Sequence, residues 1–253
     1  MQVRDWRNNF MTPTNLDAYA QYLTGFKYPP KGEHEPPEYT DQLFCNMLLK
    51  LEPTTVSLDV GIVLHSMLEE LIKTNSMGCY FPRFINGWKI ESDVAIEVPH
   101  VSIAEQFVTL DICDGLKMYG KIDMANSYQI GDHKTTSSTI DISKYEDSWQ
   151  WKCYLLMTGY KQFVYHIYKI YISKSTKENK KFTIKDYAKF DLYEYPTMKQ
   201  DTMNFIHEYM AYLDYIKPRL IDTAINNILL IRDSTIRIFD LQELKETKLI
   251  KKD

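Results

Sequence analysis

Hydrophobic positions along this chain change period several times, and each change predicts an element. Leu16, Tyr19 and Leu23 recur at helical spacing, with Thr14 or Asn15 as cap, after an opening strand or arm within residues 1–28. The Pro-rich run Tyr28–Pro37 excludes a helix or a central strand and reads as a surface loop. Helical spacing resumes over Thr40–Leu51 and stops near Pro53. Asp59–Lys73 is the most helix-like stretch of the first half, with Leu64, Met67, Leu68 and Leu71 on one stripe. The pattern then shifts to strands. Val94, Ile96 and Val98 alternate with Ala95, Glu97 and Pro99. Phe107–Cys113, Leu116–Met124 and Tyr128–Lys134 follow, with turn residues at Asp114-Gly115 and Asn126-Ser127.

Ser148–Thr158 returns to helical spacing, with Gly159 as its stop. Phe163–Ile172 and Phe182–Tyr193 read as strands of a hairpin around the lysine-rich tip 174–181. Asp201–Lys217 is an amphipathic helix ending at Pro218, and strand-like pieces follow from Ile228. This mixture of helices and strands predicts an α/β chain. Residues 1–253 read as one domain, with a helical N-terminal elaboration over about 1–55 and a helical and strand extension over about 195–253.

Composition narrows the function classes. A formal net charge of −4 argues against coating nucleic acid by bulk charge, although a local basic groove remains compatible with it. No apolar run is long enough to span a membrane, and the start MQVRDWRNNF lacks an apolar signal core. A cytoplasmic protein with no membrane partner is expected. Cys45, Cys79, Cys113 and Cys153 are scattered without a C-x-x-C pair, so reduced and mostly buried thiols are expected.

The candidate chemistry centres on Gly120-Lys-Ile-Asp123 and Ile130-Gly-Asp-His-Lys134-Thr135. Side chains alternate along a strand, so Asp132 and Lys134 share a face and His133 takes the other. If the two strands pair, Asp123 reaches the same patch. Two carboxylates and an ammonium crowded together are costly to keep, and make sense around a divalent cation with the lysine facing an anionic substrate. His65 and Glu69 share a helix face, which read alone is a solvated surface pair. Glu97, in an apolar run, is either a carboxylate supporting a site or an edge-strand charge. Lys174, Lys177, Lys180 and Lys181 are either a solvated tip or contacts to a DNA backbone.

The segments Gly61-Ile-Val-Leu-His65, Gly120-Lys-Ile-Asp123, Asp132-His-Lys-Thr135 and Gln150-Trp-Lys-Cys-Tyr154 occur in that order. This order resembles the PD-(D/E)XK nuclease superfamily, and within it the RecB-like exonuclease branch. The resemblance covers roughly residues 55–172 and extends weakly to Thr14–Tyr19. It implies a restriction-endonuclease-like core, a central mixed β-sheet flanked by helices, that hydrolyses phosphodiester bonds at DNA ends. Asp123 and Asp132 would bind Mg²⁺ or Mn²⁺, with the His133 backbone carbonyl and His65 as further ligands. Lys134 would orient the attacking water and stabilise charge on the phosphate. Gln150, Tyr154, Glu69 and Glu97 would contact substrate or support the metal shell. The branch's cluster-bearing members carry cysteines after the Q-x-x-x-Y helix. None follows Cys153 here, so no iron–sulfur cluster is expected. No G-x-x-x-x-G-K-[ST] is present, so unwinding would come from elsewhere. Expected partners are linear DNA, single- or double-stranded, and a single-strand annealing protein in recombination, as in phage-type exonucleases. The competing readings are an inactive or partner-dependent DNA-binding module of the same fold, a structure-specific endonuclease, and a structural protein with surface ion pairs.

Overall fold

Strand β6 (Gln162–Ile172) is buried along most of its length, because both faces of the sheet around it are covered. Phe163 stacks on Tyr154 of α5 (Trp149–Thr158), and Tyr165 meets Tyr145 of α4 (Ile142–Glu146). The alternate residues Tyr168 and Ile170 join the core beneath α3 (Val56–Lys73). Near-continuous apolar and aromatic sequence is what a strand between two helical layers requires.

The structure is a computed structural model that describes residues 5–24, 40–51, 55–74, 79–96, 101, 103–173 and 180–227. The remaining strands are β1 (Arg83–Ile85), β2 (Trp88–Ser92), β3 (Ile103–Cys113), β4 (Leu116–Ala125), β5 (Ile130–Thr136) and β7 (Lys180–Tyr193). Their order is β1-β2-β7-β6-β5-β4-β3. β2–β7 and β5–β6 pair in parallel, whereas β1–β2, β4–β5 and β6–β7 are antiparallel. The mixed sheet flanked by helices is therefore present. No described helix is long and apolar enough to cross a membrane.

The chain divides into two compact units. One comprises residues 54–108 and 120–196 and holds most of the sheet with α3, α4 and α5. Its core packs Val60, Leu64, Met67 and Leu71 against Trp88, Ile90, Phe182 and Ile184. Each such side chain contributes roughly 1.5–3 kcal/mol of transfer free energy. The other unit comprises residues 1–53, 109–119 and 197–253. It contains α1 (Pro13–Thr24), α2 (Asp41–Leu48) and α6 (Met198–Asn226), so the N-terminal elaboration and the start of the C-terminal extension fall together. The tail from Ile228 lies outside the described residues.

Several boundaries differ from the sequence pattern. Thr12, not Thr14 or Asn15, caps α1, accepting from the Asn15 N–H at 3.2 Å. Trp6–Asn9 form a short 3-10 helix where an opening strand or arm is expected. Leu23 is exposed while Leu16 and Tyr19 are buried. Val94 and Ile96 pack on the core but are not in a strand. The ladder lies earlier, at β2, and the Ser92 hydroxyl turns back to the Val94 carbonyl at 2.7 Å. α6 continues through Pro218 to Asn226. The missing N–H and ring clash of Pro218 are offset because Leu220, Ile221 and Ala224 beyond it are buried. Cys45 and Cys153 are buried, Cys79 is half-buried and Cys113 is exposed; none forms a disulfide.

Candidate metal centre

The site begins at Gly131. Its neighbours β4 and β6 press so close that a Cβ there would lie 2.6 Å from the Val164 carbonyl oxygen and 2.4 Å from the Met124 terminal methyl. Only glycine permits that three-strand contact. The β4–β5 register is recorded at Met124↔Gly131 and Ala125↔Ile130. Two residues beyond Gly131, the His133 N–H donates to the Asp123 side chain instead, reaching Oδ2 at 2.8 Å. A carboxylate thus takes the place of a ladder acceptor between the two strands.

α3 supplies the next group. It passes β5 at Gly61, where a Cβ would sit 3.4 Å from Thr135 Oγ1. One turn later His65 Nε2 is 2.7 Å from the His133 carbonyl, and Nδ1 is 3.4 Å from Asp123 Oδ2. A carbonyl only accepts, so Nε2 carries the hydrogen. Asp132 is buried and within hydrogen-bonding reach of Asp123. Lys134 Nζ stands 2.6 Å from Asp132 Oδ2. That distance is an ion pair; among the described residues the oxygen has no well-directed hydrogen bond, so the contact is charge attraction.

Burial, and then the charge of Asp132, push Asp123 well above the usual carboxylate range. The His133 N–H and Lys134 act in the opposite sense and do not overcome them. On the opposite face of β5, the His133 ring packs edge-on against His166, with centroids 5.5 Å apart. Burial holds both imidazoles neutral: His133 falls well below its ordinary value and His166 to about 4. Among the described residues, their Nε2 atoms have no hydrogen-bond partner.

The sequence-derived candidates separate into groups. His65, Asp123, Asp132, Lys134 and the His133 backbone come together. Gln150 and Tyr154 are buried beneath them. Tyr154 donates to the Lys121 carbonyl at 2.8 Å and bonds with the Gln150 side chain, which supports β4 two residues before Asp123. Glu69 lines a shallow, solvent-open cleft with His65, Ile72, Glu105, Asp123 and His133, and it also pairs with Lys73. Lys181 pairs with Glu91 at 2.6 Å and Lys180 lies over Trp88. Both sit at the start of β7, nine or more residues from Phe190, which shares a sheet row with Asp132 through Tyr165. At ~3.3 Å per residue that is about 30 Å along the strand. Glu97, Lys174 and Lys177 lie outside the described residues.

Sequence reasoning missed Glu105. It enters the cleft from β3 with a φ of 52°, a left-handed backbone that no residue pattern announces for a glutamate.

The donor set suits a hard divalent ion: two carboxylates and a carbonyl, plus an imidazole nitrogen that favours Mn²⁺ over Mg²⁺. Asp132 is buried with Lys134 beside it, and burial and then the Asp132 charge raise Asp123, so a bound cation would stabilise the charged form of both carboxylates. As placed, the side chains contact one another, and among the described residues no three His, Cys, Asp or Glu side chains form a ready ligand cluster. His65 and Lys134 would exchange their protein contacts for such an ion.

No family model matches the chain, and no curated protein matches it. Solved structures of low similarity do. A candidate exonuclease from Eubacterium rectale is 13% identical, with 98% of this chain and 91% of that one aligned, at a TM-score of 0.41. An alkaline exonuclease from Laribacter hongkongensis is 11% identical over 85% of this chain and 96% of that one, at 0.38. The same enzyme in complex with dAMP aligns at 0.39, over 84% of this chain and 94% of that one, with 11% identity. The site is accordingly read from this chain's own residues.

Proposed function

We propose that the protein is a divalent-metal-dependent phosphodiesterase acting on DNA, an exonuclease at DNA ends. The observation that carries the reading is the convergence of His65, Asp123, Asp132 and Lys134 at the parting of β4 and β5. They come from three separate sequence motifs in the order typical of RecB-like nucleases. The preference for ends over internal bonds rests on that motif order.

Asp123, Asp132, the His133 carbonyl and His65 would hold Mg²⁺ or Mn²⁺. When bound, the ion would lower the pKa of a coordinated water and offset charge on the phosphate. Asp132 and Lys134, on one face of β5, fix an ammonium beside the carboxylates. There it orients a water and meets negative charge as it develops on the phosphoryl oxygens. Asp123 is held by the His133 N–H, and Tyr154 fixes the β4 backbone that carries it. Both contacts keep the carboxylate aimed, and the His133 N–H also favours its charged form.

The test is a time course on end-labelled linear and closed circular DNA, single- and double-stranded, with Mg²⁺, Mn²⁺ or EDTA. Loss of linear DNA alone, dependent on metal and abolished in Asp132→Ala while DNA affinity persists, is expected. Cutting of circles would replace the exonuclease with an endonuclease. Full activity in Asp132→Ala would remove the site assignment.

A further inference from the structure

Phe107 is a large apolar side chain left 77% exposed on β3, the strand at the edge of the sheet. Leaving such a ring in water forgoes roughly 1.5–3 kcal/mol of burial. Its neighbour is charged: Lys121 Nζ lies 5.8 Å from the ring centroid. The same ammonium is 2.6 Å from Glu105 Oε2, and Glu105 lines the cleft with Asp123 and His65. Lys121 is also two residues before Asp123 on β4, so both side chains leave the same face of that strand. Phe107, Lys121 and the cleft therefore form one continuous path. Other exposed aromatics carry a lysine too, such as Tyr171 with Lys185, but that lysine pairs with Asp93 and not with a cleft residue.

We propose that Phe107 is a stacking platform for an unpaired nucleobase of a single-stranded DNA end, with Lys121 set to meet the adjoining phosphate. This inference rests on the nuclease reading for the identity of the substrate. An aromatic face beside a cation matches the two surfaces that a nucleotide of a single strand offers, a π-face and an anion. Lys121 can turn to the phosphate only by loosening from Glu105, so strand binding and the charge at the cleft rim are linked.

The test crosses two deletions. Binding of a short single strand is measured by anisotropy in EDTA, where no cleavage is expected, with the terminal nucleotide intact or abasic. Wild type and Phe107→Ala are compared. Stacking of one base corresponds to about 1–3 kcal/mol, or roughly 5- to 150-fold in Kd. Wild type is expected to lose that factor when the base is removed; Phe107→Ala should bind both strands alike, at the weaker affinity. Phe107→Trp should restore the discrimination, which separates stacking from a folding defect. Equal discrimination in wild type and Phe107→Ala overturns the platform, as does a wild type that binds neither strand. Cleavage with Mg²⁺ or Mn²⁺ is assayed separately. A wild type that discriminates but never cleaves would refute the nuclease reading and leave the platform standing.

Discussion

Two aspartates at the heart of their respective units show opposite solutions to the same problem. In the helical unit, Asp41 opens α2 and accepts from Tyr22 at 2.6 Å, Tyr212 at 2.9 Å and Arg219 at 2.6 Å. The Tyr22 hydroxyl, followed by Tyr212 and Arg219 against the opposing effect of burial, holds its carboxyl below the usual range. In the sheet unit, Asp123 has one N–H donor and a second carboxylate beside it, and its carboxyl is driven up. A carboxylate whose charge is fully met by donors is part of the structure. A carboxylate pair met by one N–H donor and one ammonium, and raised by burial, is the kind of group found where a protein binds something else. Arg219 and Lys134 differ in the same way: one joins two tyrosine hydroxyls on a single carboxylate, the other is the cation beside two carboxylates.

That contrast yields expected outcomes of decreasing size. Lys134→Ala should lower kcat on linear DNA by about 10²–10³, and should lower the melting temperature as well because buried Asp132 loses its ion-pair partner, read by steady-state cleavage and a thermal melt. Near-wild-type cleavage in this variant would place the reactive charge elsewhere. Asp41→Ala should cost about 1–3 kcal/mol in chemical denaturation, because it strands the buried ends of two tyrosines. Asp123→Asn should instead leave the metal-free protein as stable or more stable, since it removes a buried acid whose ionisation beside Asp132 is unfavourable. A destabilised Asp123→Asn would mean that the pair is structural. Arg219 is half exposed, so Arg219→Ala should cost at most about 1 kcal/mol and leave cleavage unchanged.

The two centres also carry opposite pH signs. Asp123 has a folded value above its unfolded one, so the native state holds the extra proton between them. Its contribution is fully present below the unfolded carboxylate range and is lost as pH rises to the raised value. Asp41 has a depressed folded value, so its contribution is present above the unfolded range and is lost as pH falls through the folded one. Denaturation midpoints in EDTA across this range should show Asp123→Asn removing the loss toward neutral pH. Asp41→Asn should remove the loss toward acid. Identical pH profiles in the two variants would break the contrast.

Much of this was legible from residue pattern. Asp132 and Lys134 on one strand face follow from a period of two, and α5 follows from its Ser148 cap and its Gly159 stop at φ 76°. Other features depend on packing that no local pattern reports. α6 outruns Pro218 because its last turns are buried, and the alternation at Val94–Ile96 marks burial without a ladder. The sequence does carry a signal for β1. Asn86-Gly87, with φ of 48° and 78°, is the turn that a tight β1–β2 hairpin requires. Glu105 and the His133–His166 contact come from strands that only the sheet order makes neighbours of the site.

A metal centre at Asp123 and Asp132 is tested most directly by the melting temperature with and without Mn²⁺, in wild type, Asp123→Ala and Asp41→Ala. At a hundredfold excess over Kd, one bound ion adds about 2.7 kcal/mol, or roughly 5–10 °C for a chain of this size. Wild type and Asp41→Ala should rise by that amount and Asp123→Ala should not. A wild type that Mn²⁺ leaves unmoved, or a rise that survives in Asp123→Ala, would contradict a metal centre at this pair.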